Sequence, residues 1–172
     1  MSTLFLDIDG VLNSVEYFKR QGHATPSMAI PPIDRDAVAV LNYICDYSSP
    51  EHIVLSSLWR RDNTLQQMNA FLASFGFRYN LTDQTPIFET PTWMLDASII
   101  YGAIRGDEIK AWLDEHPDHG PFAILDDDGD MGELMPYLVR TSAARPIGAQ
   151  EVVSVVALLQ GEEAPAPAPV SR

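Results

Sequence analysis

Runs of mostly apolar residues recur along the chain, and polar residues follow each of them. Residues 4–6, 52–55 and 122–125 form three such runs. They have the length of buried strands and are short for helices. A further run at 138–141 predicts a short last strand. Because strands buried on both faces read as continuous apolar stretches, the pattern predicts a mainly parallel sheet that is covered on both sides.

Between these strands, the apolar positions recur at helical spacing. In residues 35–47 they return every three or four positions, and Asp34 before them can cap a helix. The same spacing predicts helices at 64–75, 106–116 and 150–159. An alternation of strands and helices is typical of an α/β fold with three layers, in which a sheet lies between helices.

The remaining segments lack a regular period. Residues 14–33 contain several prolines and predict a flexible loop or small flap next to the first strand. Residues 78–104 predict loops with short strands. The tail, residues 161–172, alternates alanine with proline and is predicted to be disordered or extended. We therefore predict one domain over residues 1–160.

The first three predicted strands end in polar clusters. These clusters are Asp7 with Asp9, Ser56 with Ser57, and Asp126 with Asp127. Parallel strands bring their carboxyl ends to one sheet edge, where α/β proteins bind ligands. Carboxylates that lie close together repel each other unless a cation or a proton intervenes, and Mg²⁺ suits such an all-oxygen site. The alternative is that Asp7 and Asp9 are turn or cap residues, since Asp-Gly is a common turn signal.

The charge balance restricts the possible partners. The 172-residue chain has a net charge of −13, which argues against a broad surface for duplex nucleic acid. Binding of a single phosphate end stays open, because a bound metal supplies positive charge locally. The one cysteine, Cys45, excludes an internal disulfide and a cysteine-rich metal site, and it is predicted to be a core residue.

The sequence also bears on location. No apolar stretch approaches the roughly 20 residues that span a bilayer, so no membrane association is expected. The N-terminal apolar run is short and ends in acids, unlike a secretion signal. The expected location is the cytoplasm.

Four segments together resemble the haloacid dehalogenase-like (HAD) hydrolase superfamily. They are LFLDIDGVLN, IVLSS, IRGDEIK and AILDDD. The longer matches IVLSSLWRR, RGDEIKAWL and LVRT look like the HAD domains associated with RNA-repair proteins, which are similar to the phosphatase domain of polynucleotide kinase-phosphatases. The resemblance covers residues 4–159 and implies a Rossmann-like fold. Only about 40 residues separate the first two motifs, which leaves room for a minimal cap.

The resemblance implies roles for the polar strand ends. Asp7 is expected to be the nucleophile that forms an aspartyl-phosphate, and Asp9 the general acid and base. Ser56 is expected to donate a hydrogen bond to a phosphoryl oxygen. The implied cofactor is Mg²⁺, held by Asp7, the backbone carbonyl of Asp9 and one of the two acids Asp126 and Asp127. Asp127 is preferred as the direct ligand, with Asp126 as a more remote or water-mediated contact, but the sequence leaves this choice open.

A basic residue is also expected, to pair with the nucleophile and the phosphate. Arg105 and Lys110 are both candidates, and the alternative for either is a solvated helix charge. Ser57, Trp59 and Arg60 follow the second strand and are predicted to contact substrate. For the latter two the alternative is structural, with the indole packed under the loop and the guanidinium capping it.

Two more residues come from the last predicted strand. Arg140 and Thr141 lie at its end, and the sequence leaves open whether they approach the site.

The expected function is that of a Mg²⁺-dependent phosphomonoesterase acting on a nucleotide or polynucleotide terminal phosphate. The negative charge of the chain favours a mononucleotide or another small phosphate ester. The sequence also allows an inactive HAD-fold binding or regulatory protein, or a phosphotransferase. The expected partner is a phosphorylated small molecule or a nucleic-acid end.

Overall fold

A five-stranded parallel sheet organises the computed structural model, which describes residues 1–22, 32–88 and 105–165. The strand order is β3-β2-β1-β4-β5, so the first strand lies at the centre. The strands are β1 Thr3–Leu6, β2 His52–Leu55, β3 Asp83–Gln84, β4 Phe122–Asp126 and β5 Leu138–Arg140. The helices are α1 Val15–Arg20, α2 Arg35–Ser48, α3 Leu65–Ser74, α4 Arg105–Glu115 and α5 Ala149–Leu159, with 3₁₀ helices at Leu58–Arg61 and Gly132–Tyr137.

The sheet register places the ends of the central strands at one level. Leu6 pairs with Leu55 on one side and with Leu125 on the other. The residues that follow therefore lie at one edge of the sheet, the edge at which α/β proteins bind ligands.

The side chains of β1 divide the core into two layers. Leu4 and Leu6 face the cluster that contains the apolar residues of α2, α3 and α5. Phe5 faces the opposite cluster, with Ile109 and Trp112 of α4. Successive strand residues point to opposite faces, so the helices cover both sides of the sheet. The predicted three-layer α/β/α fold is therefore confirmed.

The predicted helices agree with the observed ones to within a residue or two at each end. Helix α2 is capped by Asp34, whose side chain accepts a hydrogen bond from the backbone of Asp36. Cys45 lies fully buried in the core, as predicted, and burial raises the pKa of its thiol to about 12. Within the described residues, no helix has both the length and the apolar character needed to cross a membrane.

One segment differs from the prediction. The sequence predicts an irregular segment at 14–33, but Val15–Arg20 forms helix α1. Ser14 caps it by accepting a hydrogen bond from the backbone of Tyr17, and Phe18 is buried. The cap and the buried face stabilise a helix that is too short to show a period. The part of the predicted flap at residues 23–31 lies outside the described residues.

The structure describes only parts of the other two segments that were predicted to be irregular. The segment 78–104 contains the two-residue strand β3, and residues 89–104 lie outside the described part. In the tail, residues 161–165 form neither helix nor strand, and residues 166–172 are not described.

Candidate active site

Three strand ends bring polar residues together at the carboxyl edge of the sheet. The backbone N–H of Asp7 donates to the carbonyl of Leu125 at 3.0 Å, and that of Ser56 donates to the carbonyl of Leu6 at 2.9 Å. These bonds continue the ladders of β1 with β4 and of β2 with β1. Asp7 and Ser56 are therefore held by the sheet itself.

Three carboxylates form the centre of the site. Asp7, Asp126 and Asp127 each offer an oxygen, and the three atoms lie within 4.8 Å of one another. The first two residues are buried, at 5% and 0% exposure. The Oδ2 atom of Asp126 is buried and has no hydrogen-bond partner in the part of the chain that the structure describes. Asp126 was the less favoured of the two direct-ligand candidates, and its oxygen lies in the same group as those of Asp7 and Asp127.

The pKa values of these carboxyls reflect their confinement. Burial raises the pKa of Asp7 to about 6, although Arg105 and a hydrogen bond from Ser57 oppose the shift. Burial, together with the charge of Asp7, raises the pKa of Asp126 to about 7. Burial and the charge of Asp128 raise the pKa of Asp127 as well. Negative charge at this site is incompletely balanced by the protein. The all-oxygen group, in which Asp126 Oδ2 makes no hydrogen bond among the described residues, fits a hard divalent cation.

Gly10 makes the close approach of Asp127 possible. Its φ angle is +70°, which favours glycine. A Cβ atom at this position would lie 2.2 Å from the Asp127 carboxylate. Any other residue would push the loop after β1 away from the loop after β4.

Arg105 supplies positive charge to the buried acids. Its Nη1 atom lies 3.4 Å from Asp7 Oδ1 and 3.6 Å from Asp126 Oδ2. It is the first residue of α4, and its backbone N–H donates to the carboxylate of Asp130 at 3.0 Å. Lys110, by contrast, is exposed and pairs with Asp114 on the same helix at 3.2 Å. Of the two basic candidates, the structure brings only Arg105 to the acids.

The two serines after β2 differ in their surroundings. Ser56 Oγ is fully buried and has no hydrogen-bond partner within the described residues, so its hydroxyl makes no hydrogen bond to this part of the protein. Ser57 was predicted to contact substrate, but its side chain makes a hydrogen bond to Asp7. It also caps the following 3₁₀ helix, where it accepts from the backbone of Trp59 at 3.5 Å.

Arg60 was predicted to contact substrate, and this prediction is wrong. Its side chain is 0% exposed and forms an ion pair with Glu108. All five of its N–H groups are used, because the other four donate to backbone carbonyls. These carbonyls belong to Ser56, Ser57, Thr85 and Pro86. The structural alternative therefore holds for Arg60, which binds several segments rather than only capping the loop after β2.

Asp9 lies beside the three acids but is exposed. Its carboxylate accepts hydrogen bonds from Asn13 and Trp59, each at 2.8 Å. The expected metal contact through its backbone carbonyl stays a prediction. Asn13 belongs to the LFLDIDGVLN segment, yet the sequence analysis gave it no role. Its position four residues after Asp9 is the signal that could have indicated a contact.

The last strand does reach the site. Thr141 donates from its hydroxyl to the carbonyl of Gly10 and from its backbone to that of Asp126, both at 2.9 Å. Arg140 donates from Nε to the carbonyl of Asp127 at 3.0 Å. These contacts join β5 to the loops that carry the acids.

Comparison with known protein families gives a match that covers most of the chain. Residues 3–152 match a family described as "HAD domain in Swiss Army Knife RNA repair proteins". Neither the curated proteins nor the solved structures gave a match.

Proposed function

The chain belongs to the family of HAD domains in Swiss Army Knife RNA repair proteins, and we propose that it is a metal-dependent phosphomonoesterase. Membership of the family supports a phosphatase-type hydrolase. The observation that carries the finer proposal is the convergence of Asp7, Asp126 and Asp127 on one point beside Arg105. Such a site combines a nucleophile with the positive charge needed to receive a phosphate.

Asp7 is the proposed nucleophile. Its carboxylate is held at the end of β1 by a backbone ladder bond, and Arg105 and Ser57 both favour its ionised form. An anionic carboxylate can approach an anionic phosphoryl group only where the combined charge is compensated. The guanidinium supplies one part of this compensation.

A divalent cation, proposed to be Mg²⁺, supplies the other part by neutralising charge on the phosphoryl oxygens. Asp7, Asp126 and Asp127 would hold it. Their raised pKa values support this role, as does Asp126 Oδ2, which lies near Arg105 but makes no hydrogen bond among the described residues. Ser56, whose buried hydroxyl has no partner among the described residues, would donate a hydrogen bond to a phosphoryl oxygen.

Two proton transfers complete the proposed reaction, and both involve Asp9. In the first step an oxygen of Asp7 bonds to phosphorus, the bond to the leaving oxygen breaks, and Asp9 donates its proton to that oxygen. In the second step a water attacks the phosphorus of the aspartyl-phosphate and gives its proton to Asp9. Phosphate leaves, and both carboxyl groups return to their starting states.

The proposed substrate is a terminal phosphate of a nucleotide or polynucleotide. The family's association with RNA repair supports this class. The net charge of −13 opposes extended contact with a polyanion, so recognition would concentrate on the phosphate end.

The test is hydrolysis of an aryl phosphate by the full chain, with Mg²⁺ and with a chelator instead. We expect turnover only with the metal, and Asp7→Asn should lower kcat by about 10³-fold or more, because the nucleophile is lost. Asp118→Asn is the matched control, since this exposed aspartate lies outside the site. An unchanged rate in Asp7→Asn would refute the proposal.

The substrate class is tested separately. Release of phosphate is measured from oligonucleotides phosphorylated at the 3′ or the 5′ end and from the matching mononucleotides. We expect kcat/KM for at least one nucleotide end to exceed that for the aryl phosphate by about tenfold or more, since binding energy remote from the reacting atoms lowers the barrier. Equal values would indicate a phosphatase for another phosphate ester.

A further inference from the structure

The carboxylate of Asp9 is held from two sides by neutral N–H donors. Asn13 Nδ2 donates to Oδ1, and the indole Nε1 of Trp59 donates to Oδ2, both at 2.8 Å. Trp59 comes from the loop after β2, so this bond joins residues that are 50 positions apart in the sequence. Both oxygens of an exposed aspartate are thus fixed by the protein's own side chains.

Both donors are themselves held in place. Asn13 is buried; its side-chain oxygen accepts from the backbone of Gly10 at 3.0 Å, and its amide also donates to the carbonyl of Pro32. The indole of Trp59 packs against Phe71 of α3, with ring centroids 5.3 Å apart. The orientation of Asp9 is therefore determined by the core on one side and by α3 on the other.

Such support matters for a group that transfers protons. An exposed aspartate can populate several side-chain rotamers, and a proton donor misplaced by about 1 Å loses much of its effect. Indole and amide groups do not titrate in the working range, so they orient the carboxyl without exchanging protons with it. Each carboxyl oxygen also keeps a second lone pair, which can carry the transferred proton.

We propose that Trp59, assisted by Asn13, is a positioning residue that holds Asp9 toward the leaving oxygen. This inference rests on the proposed function and adds to it. Trp59 acts through its hydrogen bond to Asp9, a role that differs from both sequence interpretations, which were a substrate contact and packing under the loop.

Trp59→Phe tests this role, because it removes the N–H and keeps an aromatic ring against Phe71. The variant is compared with the wild type on two esters at saturating Mg²⁺. For an alkyl phosphate, whose leaving oxygen needs a proton, we expect kcat/KM to fall by about tenfold or more. For dinitrophenyl phosphate, whose leaving group needs none, we expect a change below about twofold.

Two controls isolate the contact with Asp9. In an Asp9→Asn background, adding Trp59→Phe should cause no further selective loss, since the two residues act as one unit. Trp112 is the matched tryptophan: its indole also donates to a carboxylate, that of Asp83, at 2.8 Å. Trp112→Phe should leave the ratio between the two esters unchanged.

A spectroscopic measurement tests the bond itself. The indole N–H signal of Trp59, assigned by its loss in Trp59→Phe, should shift upfield in Asp9→Ala, because its acceptor is removed. A signal that does not move would overturn the inference.

The kinetic outcomes separate the two proposals. Suppose that the wild type is active but Trp59→Phe lowers kcat/KM equally for both esters, or changes only the KM for nucleotides. Either result overturns the positioning role of Trp59 and leaves the proposed phosphatase activity standing. A wild type that hydrolyses no phosphate ester overturns both.

Discussion

At the residue scale, Arg105 decides how the charge of the acids is balanced. Its guanidinium contacts carboxylate oxygens of both Asp7 and Asp126 and is only 13% exposed. A cation in this position can neutralise the proposed nucleophile in the free protein and the phosphate in the proposed complex. The surface lysine of the same helix has no such contact.

We predict that Arg105→Met lowers kcat/KM for an aryl phosphate by about 10²-fold or more, because a charge aimed at the reacting group is lost. Lys110→Met is the matched control on the same helix. It should change kcat/KM by less than about twofold, since it removes only an exposed pair with Asp114. Equal losses in the two variants would contradict the assignment.

The sequence alone left this choice open for a physical reason. Arg105 reaches the acids because it is the first residue of α4, where Asp130 accepts its backbone N–H. The helical period predicts which residues face the core, but it does not fix the starting residue to within one position. Asp7 and Asp126 were predictable because each directly follows an apolar strand.

At the scale of elements, Arg60 joins three segments around the site. It donates to the loop after β2 through Ser56 and Ser57, and to the segment after β3 through Thr85 and Pro86. Its ion pair with Glu108 reaches α4, one turn after Arg105. The pair therefore fixes the loop that carries Ser56 relative to α4, the helix that carries Arg105.

We predict that Arg60→Met destabilises the fold by about 3–5 kcal/mol, because it leaves the buried charge of Glu108 without its partner. Adding Glu108→Leu should recover part of this loss, since the unpaired charge is then removed. Urea unfolding of the two variants and the wild type measures both effects. A double variant that is less stable than Arg60→Met would contradict this account.

The same pair shows what sequence patterns cannot reveal. Arg60 and Glu108 lie 48 positions apart. From the sequence, Arg60 is either a substrate contact or a loop cap, and no pattern connects it with Glu108. Only the tertiary fold buries them together. Helix α1 was missed for a related reason, because six residues are too few to display a helical period.

At the scale of the whole molecule, the fold places like charges together in a protein that is already acidic. The parallel register brings Asp7 and Asp126 to the ends of neighbouring strands, at the centre of the sheet. The net charge of −13 adds to their repulsion. The proposed function would therefore reduce the stability of the metal-free fold, and a bound cation would offset this loss.

The pKa values of these acids determine how the stability of the metal-free fold changes with pH. Those of Asp7 and Asp126 are raised to about 6 and about 7, so the folded chain binds these protons more tightly than the unfolded chain. The stability that they contribute is fully present below about pH 4 and is lost as the pH rises through 6 and 7. The metal-free protein should therefore carry the full penalty near pH 8.

Asp126→Asn tests this consequence, because it removes one of the buried charges while nearly preserving the shape. Without metal, we expect the variant to have a higher Tm than the wild type at pH 8, by about 2–6 °C, and a smaller difference at pH 5. Mg²⁺ at roughly 100 times its Kd should stabilise the wild type by about 2.7 kcal/mol and the variant much less. Thermal unfolding at both pH values, with Mg²⁺ and with a chelator, measures all three effects. A Tm difference that is independent of pH would show that the charge of Asp126 is balanced within the protein, and equal stabilisation of both proteins by Mg²⁺ would place the cation elsewhere.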